Sequence, residues 1–148
     1  MRAENSPSAS FSKSDGMPAP GHVSPEKILK VSLEPARFGT AVVLHYQDRA
    51  ISRSEGRALA GLISEVLPSA RRMVIDLAAV DSLDSGALGE LVMTHLWAEA
   101  AGYALSFASP RDSVRGLFES TNLVSILDVY SSVEDAISAM HQEQVQSA

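Results

Sequence analysis

An α/β sandwich is predicted: a mixed sheet of about four or five strands, covered mainly on one face by about four helices. Three observations carry that expectation. The run Met73–Leu77 is apolar without alternation, as befits a strand buried on both faces of a parallel sheet. Segments of strand period alternate with segments of helical period, the pattern of units joined by right-handed crossovers. The first two strand-like segments are joined by a short turn, which suits an antiparallel hairpin and makes the sheet mixed.

In chain order, residues 1–27 are dense in Ser and Pro (Ser6, Pro7, Ser8, Ser10, Pro18, Pro20, Pro25) and are expected to form a disordered tail. A single folded domain is expected over residues 28–142, with 143–148 a frayed polar tail. Leu29, Val31 and Leu33 alternate with Lys30, Ser32 and Glu34, the period of a strand with one wet face. Pro35–Gly39 reads as a turn and Thr40–Tyr46 as the next strand. Gln47–Ser54 is a polar loop. Ser52 and Glu55 then form a capping box for a helix with Ala58, Leu59, Leu62, Ile63, Val66 and Leu67 as its stripe, and Pro68 is expected to end it.

After the strand Met73–Leu77, the polar passage Asp81-Ser82-Leu83-Asp84-Ser85-Gly86 leads into a second helix. Its stripe is Leu88, Leu91, Val92, His95 and Leu96, widened by Met93, Trp97 and Ala100, and Gly102 stops it. Asp84 and Ser85 fall at the positive end of this helix. Tyr103–Ala108 is a strand. Ser109, Pro110 and Asp112 are expected to start a third helix, with Val114, Leu117 and Phe118 facing the core and Asn122 as a left-handed terminator. Ile126–Tyr130 is a short strand. Ser131 or Ser132 caps a last helix with Val133, Ala136, Ile137 and Met140 inward.

Composition narrows the function classes. A hydrophobic fraction of 45% over 148 residues supports one core of ordinary size. A net charge of −6 argues against a broad nucleic-acid or anionic-membrane face. With no cysteine, disulfides and thiolate metal sites are ruled out. No apolar run nears the ~18 residues of a membrane span, and the first residues lack the apolar core of a secretory signal. A cytoplasmic protein is expected.

No catalytic residue, metal or cofactor is expected, and the chain reads as a non-enzyme. Asp76 closes the central strand, where a receiver domain holds its phosphoryl-accepting aspartate. The acidic pair and lysine that a receiver also needs are missing at Leu44-His45-Tyr46-Gln47 and Phe107-Ala108-Ser109-Pro110. Asp76 is therefore expected to bond loop amides. Asp76, Asp81 and Asp84 are read as capping or solvated acids rather than a cation cluster. His45 lies on a strand and His95 on a helix, the latter read as partly buried, with no nucleophile-elbow motif and no phosphate-binding glycine loop beside them. Ser85 has two readings. It is either a phosphoacceptor at a helix N-terminus or a plain N-cap worth ~1 kcal/mol, the second being favoured.

The stretch Asp84-Ser85-Gly86-Ala87-Leu88-Gly89 resembles the Asp-Ser-Ser-Gly-Leu-Gly signature of STAS domains, the family of sulfate transporters and anti-sigma factor antagonists. The resemblance extends from Leu29 to about Met140, through Ala101-Gly102, Ser109-Pro110, Leu117-Phe118 and Asn122-Leu123. It implies a STAS-type sandwich and a module that docks on an anti-sigma factor, usually a serine kinase, to free a sigma factor. It also implies a contact surface of Asp84, Ser85 and Gly86 with the loop from Gln47, Asp48 and Arg49 to Arg53. The second Ser of the signature, phosphorylated in the family's switch proteins, is here Gly86, so the kinase switch is expected to be absent. The alternative is a scaffold STAS protein of a larger signalling complex without a sigma-factor link.

Overall fold

The computed structural model describes residues 29–36 and 41–147, with side chains to residue 142. The predicted tail over residues 1–27 and most of the turn Pro35–Gly39 lie outside the described residues. The elements are β1 (Val31–Pro35), β2 (Val42–Tyr46), β3 (Ala50–Ile51), α1 (Arg53–Ala70), β4 (Arg72–Asp76), β5 (Ser82–Leu83), α2 (Ser85–Ala101), β6 (Ala104–Ala108), α3 (Asp112–Ser120), β7 (Val129–Tyr130) and α4 (Val133–Ser147). The last helix thus runs past Gln142.

Five strands form a sheet in the order β1-β2-β4-β6-β7, and β3 and β5 form a separate two-stranded ladder. β1 is antiparallel to β2 and every other neighbour is parallel, so the sheet is mixed. β4 is central. Met73, Val74 and Ile75 are all fully buried, which is why the segment shows no alternation.

Met73 and Ile75 face a core shared with Leu59, Ile63 and Leu67 of α1, Leu88 and Leu91 of α2, and Val114 and Phe118 of α3. Val74 faces the other way, onto Ala136 and Met140 of α4, with Val43 and Ala108. Three helices therefore cover one face and one covers the other.

Local signals mostly hold. The Ser52–Glu55 capping box is formed in both directions, Gly102 closes α2 at φ 84°, Asn122 is left-handed at φ 64°, and Ser132 accepts the Asp135 N–H at 3.0 Å. Four differ. Pro68 does not end α1, which continues to Ala70. Proline removes only the bond to the exposed Ser64 carbonyl, and closure falls to left-handed Arg71, whose N–H reaches the Leu67 carbonyl at 2.6 Å. Ser109 is not a helix cap. It takes φ 59° and donates its N–H to the Tyr130 carbonyl, and α3 starts after Arg111. Leu33 is exposed: of the expected apolar stripe of β1 only Leu29 and Val31 pack against the core. The strand expected from Ile126 shrinks to Val129–Tyr130, because Ile126 and Leu127 are spent closing a 3-10 turn, Leu123–Ser125, by donating their N–H groups to the Leu123 carbonyl.

Candidate functional site

The start of α2 is built around Asp84. Its extended backbone, at φ −81° and ψ 165°, makes it the N-cap; Oδ1 accepts the Ala87 N–H at 2.8 Å and the backbone carbonyl accepts that of Leu88 at 2.9 Å. Its second oxygen, Oδ2, accepts the N–H of Arg53, first residue of α1, at 3.1 Å. One carboxylate thereby satisfies orphan donors of two helices. Ser85 is not the cap that one reading made it. It is the first residue of α2, exposed, and its hydroxyl has no partner among the described residues.

Gly86 follows, partly covered by Arg53. A Cβ on Gly86 would lie 2.9 Å from the Cβ, Cγ and Cδ of Arg53, so the arginine stem occupies the space a side chain there would need. Arg53, Ser85, Gly86, Gly89, Glu90 and Met93 line an open groove of about 360 Å³. The Arg53 guanidinium has no carboxylate partner among the described residues, whereas Arg57 pairs with Glu90 at 3.6 Å.

Two stitches hold the loops beneath this surface. β3 and β5 pair in parallel, and the N–H groups of Asp81 and Ser82 both reach the Arg49 carbonyl, while that of Asp84 reaches Ile51. Asp81 lies between two arginines: Arg49 Nε at 2.6 Å and Arg111 Nη1 at 2.6 Å. The Arg49 hydrogen bond holds the Asp81 carboxyl below the usual carboxylate range against the opposing effect of burial, with Arg111 adding to it. Arg111 also donates to the Ala78 carbonyl, and Ser113 to that of Asp81. Nothing local marks Arg111 as a partner of Asp81, since 30 residues separate them.

Of the residues named from sequence, Asp84, Ser85, Gly86 and Arg53 come together. Arg49 joins them one step away through Asp81. Gln47 is tied instead to the edge strand, through the Lys30 carbonyl and the Ser32 hydroxyl, and Asp48 accepts the N–H of Arg49. Asp76 bonds the Ala78 N–H at 3.0 Å, as a loop-bonding acid should, and also takes His45 Nδ1 at 2.6 Å. His45 Nε2 in turn meets Glu34 at 2.9 Å. Burial works against a charged ring here, but the bonds to Asp76 and Glu34 outweigh it and raise the His45 pKa. A receiver aspartate needs a free carboxylate, and this one is engaged twice. Among the described residues no group of His, Asp and Glu is arranged to hold a metal ion, and no helix is long and apolar enough to cross a membrane.

Fold and site together define a small α/β sandwich whose most elaborated surface is an exposed, doubly capped helix start. The STAS domain family model matches residues 28–136, and the chain belongs to that family. Similar solved structures include an anti-sigma factor antagonist from Mycobacterium paratuberculosis, at 23% identity and a TM-score of 0.64 over 84% of this chain and 99% of that one. The Bacillus anti-sigma factor antagonist SpoIIAA, unphosphorylated, matches at 16% identity and a TM-score of 0.62, over 76% and 97%. A sulfate transporter family protein from Wolinella succinogenes matches at 12% and 0.56, over 73% and 94%. These likenesses are of fold. No curated protein matches the chain.

Proposed function

We propose that this chain is a non-enzymatic regulatory module that docks on an anti-sigma factor of the serine-kinase type and so frees a sigma factor. The observation that carries the reading is the exposed start of α2, where Asp84 fixes two helix ends and Gly86 stands in place of the family's phosphorylated Ser. Glycine has no oxygen to accept a phosphoryl group, and the Arg53 stem fills the space beside it. Docking is therefore constitutive, with control lying in expression or in the partner. Ser85, exposed one residue earlier, carries the one hydroxyl in the motif.

The test is binding to a kinase-type anti-sigma factor with ATP present, followed by mapping of phosphate by mass spectrometry. Stable binding without phosphate on Ser85 is expected, with phosphorylation gained in Gly86→Ser as the Arg53 stem shifts aside. Stoichiometric phosphate on Ser85 would restore the switch and overturn the constitutive reading. Failure to bind, with recovery of the protein in a larger assembly, would favour a scaffold.

A further inference from the structure

The helix α2 is apolar on both sides. Its inner side holds Leu88, Leu91 and Ala98 in the core, but its outer side repeats the pattern with Gly86, Gly89, Met93, Leu96, Trp97 and Ala100. At 100° per residue these six positions fall within about a third of the helix circumference. Met93 is 66% exposed, Leu96 44% and Trp97 39%, against the inward packing that the sequence leads one to expect of them. A soluble surface helix ordinarily turns a polar face outward, and one that is apolar all round is covered on both sides. Trp97 is also braced, its ring 5.7 Å from that of Tyr103, over which Arg71 lies in turn.

Charge says what covers this face. The acid at its border, Glu90, is paired with Arg57, while Arg53 stands at the groove by Gly86 and Gly89 with no counter-ion among the described residues. The positive end of α2 is already capped by the Asp84 carboxylate, so the field that an arriving carboxylate meets at this groove is that of Arg53. In a second copy the nearest acids, Asp84 and Glu90, are already engaged, the first by helix N–H groups and the second by Arg57. The groove beside the two glycines, followed by the Met93–Trp97 ridge, suits the ridges of an incoming helix.

We propose that the outer face of α2 is a docking surface for an amphipathic helix of a protein partner, with an apolar stripe over Met93, Leu96 and Trp97 and a carboxylate paired with Arg53. This rests on reading the chain as a protein-binding module, and it extends the contact from the start of α2 along its length.

The probe is a phage-displayed library of helical peptides, selected on the full-length protein and re-measured in solution by the fluorescence of Trp97, the single tryptophan. Selected sequences should share an apolar i, i+3 or i+4, i+7 stripe with Asp or Glu at one end. Met93→Lys should weaken them at least tenfold with the far-UV circular dichroism unchanged. Arg53→Glu should weaken them similarly, and exchanging the peptide acid for Lys should restore binding to that variant. Selection without helical sequences, or affinities indifferent to both substitutions, would overturn the proposal. So would a concentration-dependent dimer abolished by Met93→Lys, which would assign the face to a second copy. No anti-sigma factor enters this assay, so peptides that bind as described while anti-sigma factors do not would sink the functional reading alone.

Discussion

The carboxylate of Asp84 accepts the backbone N–H of Arg53 across 31 positions of sequence while capping its own helix at Ala87. Removing it orphans one donor in each of two helices. Asp84→Ala should therefore lower stability by about 1–3 kcal/mol, above the ~1 kcal/mol of a single cap. Urea denaturation measures this, and a loss below 0.5 kcal/mol (~0.5 being the low end for one cap) would mean the Arg53 bond contributes nothing.

Gly56 and Gly116 are both helical, but only Gly56 is packed. A Cβ there would stand 2.9 Å from the Cα of Ala87, whereas Gly116 has nothing within 4 Å. Gly56→Ala should destabilise by about 1–3 kcal/mol despite its better helix propensity, because the α1–α2 contact must open. Gly116→Ala should stabilise by up to ~1 kcal/mol. Equal effects would show that α1 and α2 yield freely.

His95 is 1% exposed and neither ring nitrogen has a hydrogen bond; Glu99 Oε2 stays 3.7 Å away. An unsatisfied buried polar ring is a standing cost. His95→Leu should raise stability by about 1–2 kcal/mol, read as a higher urea midpoint at unchanged slope. A loss of stability would mean that the ring is bonded in solution.

His45 makes stability depend on pH. Its folded-state pKa is raised above the ordinary 6.5 by Asp76 and Glu34, against burial. The contribution is therefore fully present below the unfolded pKa, and it fades as pH rises through the higher folded value. His45→Gln should flatten that decline from about pH 6.5 upward, as measured by melting temperature. An identical profile in the variant would assign the dependence elsewhere.

Much of the fold was readable because it rests on local patterns. Met73–Ile75 announces a doubly buried strand, and Ser52–Glu55, Gly102 and Asn122 mark helix ends with chemistry confined to a few residues. What failed depends on partners far along the chain. A two-residue ladder such as Ala50–Ile51 with Ser82–Leu83 has no period to detect. The His45–Asp76 pair exists because the β2–β4 register sets those two residues side by side. Met93, Leu96 and Trp97 obey helical spacing and still face outward, since spacing states that a face is apolar but not what covers it. The site was half legible. The motif located Asp84, Ser85 and Gly86, but the Arg53 stem over Gly86 and the Arg111 hold on Asp81 come from packing alone.

The β3–β5 ladder has a kinetic meaning. Because Arg49 and Ile51 accept the amides of Asp81, Ser82 and Asp84, the loops leading into α1 and α2 are expected to open together. In hydrogen exchange, the amides of Ser82 and Asp84 should share one opening free energy with that of Arg53, although 31 positions separate Arg53 from Asp84. A partner docking here as proposed would find the surface already ordered, with little conformational freedom left to lose on association. Rapid encounter limited by orientation, rather than slow folding upon contact, is the behaviour such a surface dictates.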